Sequence, residues 1–103
     1  MTQPVTVLAP IKLAKGKTEA DLIAASDQFE KDFVSQYPAV LRREMICVGE
    51  GEYMDIVQFS SKEEAEEVIK AEMGSPLCAE FFSVMDMSNA EAELPFHRSV
   101  ATY

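Results

Sequence analysis

Residues 55–82 read DIVQFSSKEEAEEVIKAEMGSPLCAEFF, and three changes of pattern inside this stretch decide the architecture. Ile56, Val57 and Phe59 are β-branched or aromatic, as a strand prefers. Ser61 then precedes Glu64 by the spacing of a capping box, and Glu63, Glu64, Glu66 and Glu67 load the turns where a helix N-terminus favours negative charge. Ala65, Val68, Ile69 and Met73 recur at helical spacing and predict a buried stripe. Glu72 lies three residues after Ile69, so a carboxylate shares that stripe. Gly74-Ser75-Pro76 breaks the helix. Ser75 caps a further helix and Pro76 takes its first turn, where a missing N–H is harmless. Leu77, Cys78, Phe81, Phe82, Val84 and Met85 cover most of that helix and leave Glu80, Ser83 and Asp86 for water.

Working outward, residues 53–59 form a strand with Tyr53, Asp55, Val57 and Phe59 on one face and Met54, Ile56 and Gln58 on the other. A charged residue in mid-strand is unusual. Gly49-Glu50-Gly51-Glu52 is a hairpin turn back to a strand over 40–48. There Val40, Arg42, Glu44, Ile46 and Val48 alternate with Leu41, Arg43, Met45 and Cys47. Before it, Thr18 with Asp21 caps a helix whose inward stripe is Leu22, Ala25, Ser26, Phe29, Phe33 and Tyr37, and Pro38 stops it. Residues 5–13 read as a strand buried on both faces, with Pro10 marking a bulge or the end of regular pairing. A loop over 87–93 leads to a last strand over 94–103, with Phe96, Arg98, Val100 and Thr102 opposite His97, Ser99, Ala101 and Tyr103.

The order β-α-β-β-α-α-β predicts one α+β domain over 1–103. It has a ferredoxin-like, four-stranded antiparallel sheet with helices on one face. The strands are apolar on both sides, so a second copy is expected to cover the bare face. The chain carries 18 acids against 9 bases, net charge −9. That balance opposes nucleic acid and anionic membrane surfaces. No run approaches the ~20 apolar residues of a membrane span, and no signal-peptide pattern is visible. Cys47 and Cys78 lack metal-ligand or redox spacing and read as buried thiols of a reducing compartment, so a cytoplasmic protein is expected. No metal site is expected.

Phe59, Ser61, Glu64-Ala65, Glu72, Ser75-Pro76 and Phe81-Phe82 follow a pattern that resembles the dimeric α+β barrel superfamily, in particular its antibiotic-biosynthesis monooxygenase-like domains. The resemblance runs from about residue 5 to residue 103. It implies a homodimer closing an α+β barrel, and one pocket per subunit between sheet and helices for a small apolar or aromatic molecule. It implies no cofactor. By the same resemblance, the strand face ending in Phe59 lines the pocket, bringing in Tyr53 and Asp55, with Phe81 from the last helix.

Where many relatives place a histidine, this chain has Glu72. Burial on an apolar stripe near a helix C-terminus raises a carboxylate's pKa, and a value near neutrality suits a general base. The alternative is that Glu72 reaches solvent or pairs with Arg43, Arg98 or Lys70. Arg43 is a candidate for binding a substrate carbonyl or carboxylate, or for pairing with Glu44, Asp55 or a helix acid. His97, the only histidine, is a further candidate, or a strand histidine at a subunit contact. Haem-degrading relatives use Asn, Trp and His; this chain has no Trp, which argues against that activity. Two readings follow. One is a cofactor-independent monooxygenase or isomerase of a small apolar or aromatic carbonyl or quinol compound. The other is a non-catalytic dimeric module that binds a small apolar ligand.

Overall fold

The computed structural model describes residues 3–86 and 96–101. Strand β1 (Val5–Lys12) leads to helix α1 (Glu19–Asp32), a 3-10 turn (Val34–Gln36), and the hairpin of β2 (Val40–Gly49) and β3 (Glu52–Phe59). Helices α2 (Lys62–Gly74) and α3 (Pro76–Ser83) follow, then β4 (Phe96–Arg98). The expected loop over 87–93 and the outer ends of the last strand lie outside the described residues.

The sheet order is β2-β3-β1-β4, every pairing antiparallel. This is the ferredoxin-like α+β arrangement. Register assigns the two faces. Val5, Val7, Ala9 and Ile11 stand opposite Phe59, Val57, Asp55 and Tyr53, while Thr6, Leu8 and Pro10 stand opposite Gln58, Ile56 and Met54. The first set packs under the helices, and Val5, Val7, Ile11, Tyr53 and Phe59 join Leu22, Ala25, Phe29, Ala65, Val68, Cys78 and Phe81 in one core. Leu8, Met54 and Ile56, on the opposite face, are half-buried in the single chain. The expectation that β1 is buried on both faces therefore holds for one face only.

The two sharp turns use glycine where the backbone demands it. Gly16 and Gly51 have φ of +84° and +70°, a region where a Cβ is strained. Thr18 closes a full capping box with Asp21. At α2 the box is only half made: Ser61 accepts from the Glu64 amide, but the Glu64 carboxylate takes the hydroxyl of Ser60 instead.

Four local expectations are corrected. Pro10 stays in register opposite Met54. Described pairing of β1 with β4 covers only Val5, Thr6 and Val7, so Pro10 lies where a missing donor breaks no recorded ladder bond. The alternation of β2 is interrupted, because Val40 faces Phe59 while Arg42 faces Gln58. This bulge at Leu41 turns Val40 to the helix side with Arg43 and Met45. Met73 is 69% exposed, because the stripe runs through Ala65, Val68 and Glu72 and the next residue rotates about 100° off it. Cys47 is exposed, lying near the end of an edge strand, where its thiol donates to the Gly49 carbonyl at 3.2 Å.

Candidate active site

Asp55 is the anomaly from which the site is built. It sits in mid-strand on the helix-facing side and is only 6% exposed. A buried carboxylate survives only if paired. Its partner is Arg43, a diagonal neighbour on β2, whose Nε donates to Asp55 Oδ2 at 3.1 Å. The Leu41 bulge sets the register that carries Arg43 across from Val57.

The guanidinium is held on every side. One terminal nitrogen donates to Ser26 Oγ at 2.7 Å, the other to Glu30 Oε1 at 3.4 Å, both on α1. The Phe29 and Phe81 rings, stacked at 4.5 Å, lie 5.1 and 5.3 Å from its central carbon. Ion pairing, hydrogen bonding and cation–π contact thus converge on one side chain. Burial pushes the Asp55 carboxyl up, and Arg43 pulls it partly back.

Glu72 joins from the last turn of α2. It is half-buried, and its carboxyl makes no hydrogen bond or ion pair with a described residue. Desolvation first, and the Asp55 charge second, push it up to about 7, while Arg43 opposes them. Cys78 on α3 is fully buried, its thiol pushed up by burial, with the Ser75 hydrogen bond opposing and the Glu72 charge adding a smaller rise. Tyr53 donates its hydroxyl to Glu19 Oε1 at 3.1 Å, and burial together with that bond raises its pKa.

The structure therefore brings Asp55, Arg43 and Phe81 together, with Glu72 within electrostatic reach of Asp55 and Arg43 and Tyr53 two residues along the same strand face. Phe59 shares the face but lies four residues away, about 13 Å along the strand, between Val5 and Val40. His97 does not join them. It pairs in register with Thr6 on the opposite face and is exposed. Arg42, next to Arg43, points to that outer face and pairs with Glu44. Ser26, Glu30 and Glu19 were not singled out from the sequence. For Ser26 a signal existed, a hydroxyl on the inward stripe of α1; for the two glutamates there was none. Among the described residues no group of acids, histidines and cysteines is arranged to hold a metal ion.

A separate open groove of about 530 Å³ runs past Gln3, Val5, Ser61, Lys62, Glu63, Phe96 and Arg98, at the Phe59 end of the sheet.

No protein-family profile matches the chain, and no curated protein does. Solved structures do. A point mutant of SnoaB from Streptomyces nogalater, a cofactor-independent oxygenase, superposes with TM-score 0.73 at 11% identity over 98% of this chain and 97% of its own. A Caulobacter crescentus CB15 protein, provisionally assigned as an antibiotic biosynthesis monooxygenase, gives 0.65 at 14% over 99% and 92%. A nipsnap family protein of unknown function from Agrobacterium tumefaciens str. C58 gives 0.61 at 17% over 95% and 88%. The chain has the fold of the antibiotic-biosynthesis monooxygenase-like proteins over nearly its whole length.

Proposed function

We propose that the protein is a homodimeric, cytoplasmic, cofactor-independent oxygenase or isomerase of a small apolar or aromatic carbonyl or quinol compound, with Glu72 as general base. The observation that carries this reading is the Glu72 carboxyl, half-buried within the electrostatic reach of Asp55 and Arg43 and pushed up to about 7. A base works best when its pKa lies near the working pH. Arg43 keeps the value from climbing further, so an ionised fraction persists at neutrality.

Glu72 takes a proton from an acidic C–H or O–H, and the electron pair left behind delocalises into the ring or carbonyl. In isomerisation Glu72 returns the proton to another carbon, and nothing else is consumed. In oxygenation the carbanion reduces dioxygen. A ring-flanking CH₂ becomes C=O, and the second oxygen atom leaves with both hydrogens as water. Arg43 is anchored through three of its five N–H groups to Asp55, Ser26 and Glu30, so it acts as a fixed positive field. The fold shared with a cofactor-independent oxygenase supports the assignment. The second copy covers the outer sheet face, where Leu8, Met54 and Ile56 are half-buried and Ile46 is 38% exposed. Both cysteines are free, in keeping with a reducing compartment.

The non-catalytic binding module remains the second reading, favoured by one observation: Arg43 is tied to Asp55, Ser26 and Glu30 as in a structural cluster. Oxygen uptake and product isomerisation over a panel of quinols and enolisable ketones separate the two. Glu72→Gln, checked for folding, should lower turnover by about 100-fold or more. Equal rates would remove Glu72 as the base. Binding without turnover across the panel would favour the module.

A further inference from the structure

The Arg43 and Asp55 side chains are only 9% and 8% exposed, and Asp55 Oδ1 shows less than 1 Å² of surface. A small molecule therefore reaches them only if part of what covers them moves. Two helices form the roof. Ser26, Phe29 and Glu30 of α1 and Phe81 of α3 all lie on the guanidinium.

The two helices are held very differently. α1 has 14 residues, a full capping box, and Leu22, Ala25, Ser26 and Phe29 buried. Phe33 and Val34 extend that anchor past its end, and Tyr53 ties to Glu19 at its start. α3 has 8 residues, of which Cys78 and Phe81 are buried. A helix that short is marginal by itself in water. It packs chiefly on α1 and leaves Leu77 48% exposed. Its link to α2 is loose. Ser75 is extended, at φ −98° and ψ 126°, Pro76 has no N–H to bond back to α2, and open space lies around Gly74. Its other end is pinned, because the Ala14 amide donates to the Val84 carbonyl at 3.0 Å and the Asp86 amide to the Lys12 carbonyl at 2.8 Å. An element with so few buried side chains opens before its neighbours do.

Resting on the site proposed above, we infer that α3 is its lid: the helix swings from the Gly74-Ser75 link about its Val84 end and lifts Phe81 off Arg43. Opening breaks the Phe29–Phe81 stack, uncovers the guanidinium and brings Cys78 to solvent. Closure over a ligand keeps water from the carboxyls.

Thiol labelling tests this without any ligand or turnover. Cys78 is fully buried and Cys47 exposed, so in Cys47→Ser protein Ellman's reagent reads Cys78 alone. Cys78 should react at least about tenfold faster than global unfolding permits. Its rate should rise with urea at less than about half of the global slope, since one short helix exposes little surface. Ser26→Cys, in a chain that also carries Cys47→Ser and Cys78→Ala, puts a thiol beside Arg43 under the roof. It should react with the same shallow urea slope. The lid is overturned if Cys78 labelling follows global unfolding in rate and slope. It is equally overturned if Cys78 reacts early while the thiol at position 26 stays protected, because α3 would then fray without uncovering the cluster. If the Ser26→Cys chain does not fold, the Cys78 rate and slope alone decide. An opening α3 with Glu72→Gln at wild-type rates would remove the base and keep the lid. A fixed α3 with turnover that depends on Glu72 would do the reverse.

Discussion

Glu72 illustrates how one side chain links burial to both stability and reactivity. A carboxyl raised from 4.5 to about 7 binds a proton more tightly folded than unfolded. Its linkage therefore runs opposite to that of a salt-bridged acid. The folded state is favoured while Glu72 is protonated, and that advantage is lost as pH rises from about 4.5 through about 7. Each unit is worth about 1.4 kcal/mol, and partial exposure discounts the sum to about 2 kcal/mol. Glu72→Gln should match wild-type stability near pH 4.5 and exceed it by about 2 kcal/mol at pH 8 in urea unfolding. Parallel pH profiles would contradict this. The sequence showed that Glu72 shares the apolar stripe of α2. It left open whether Arg43 would pair with Glu72, Glu44, Asp55 or a helix acid. That choice depends on a three-dimensional convergence of β2, β3 and α1, which one-dimensional periodicity does not contain. Ser26, a small polar residue among Leu22, Ala25 and Phe29, is legible as a partner only once Arg43 is seen beneath it.

Elements were the most readable level, because caps and breakers act locally. Thr18, Ser61, Gly74 and Ser75-Pro76 mark helix ends that the structure reproduces. Thr18 meets both halves of its capping box, so Thr18→Ala should cost about 1 kcal/mol in thermal or urea unfolding. A change below a few tenths would mean that the α1 N-terminus is held by packing instead. Strand details were less legible. Alternation placed Tyr53, Asp55 and Phe59 on one face correctly, since β3 is regular throughout its pairing with β1. It failed at Val40, where the Leu41 bulge adds a residue without any glycine or proline to announce it. Pro10 misled in the other direction, because a proline's cost depends on whether its missing N–H faces a neighbour, and sequence does not say which strand edge is covered.

At the scale of the whole molecule, the helices cover one sheet face and leave the other with Leu8, Ile46, Met54 and Ile56. The apolar content of both strand faces pointed to this from sequence alone. Light scattering at micromolar concentration should give twice the chain mass of 11.4 kDa, and Ile56→Asp should return the protein to that single-chain mass. A wild-type monomer would remove the homodimer from the account. Cluster and outer face lie on opposite sides of the sheet, so in the proposed dimer each subunit would keep its own Glu72 and Asp55. In the proposed mechanism the Glu72 carboxyl is poised near neutrality. The most direct test is a pH titration of the Glu72 side-chain carboxyl carbon by ¹³C NMR. A midpoint near 7 is expected, falling in Asp55→Asn because the charge that helps raise it is gone. A midpoint near the ordinary 4.5 would contradict it.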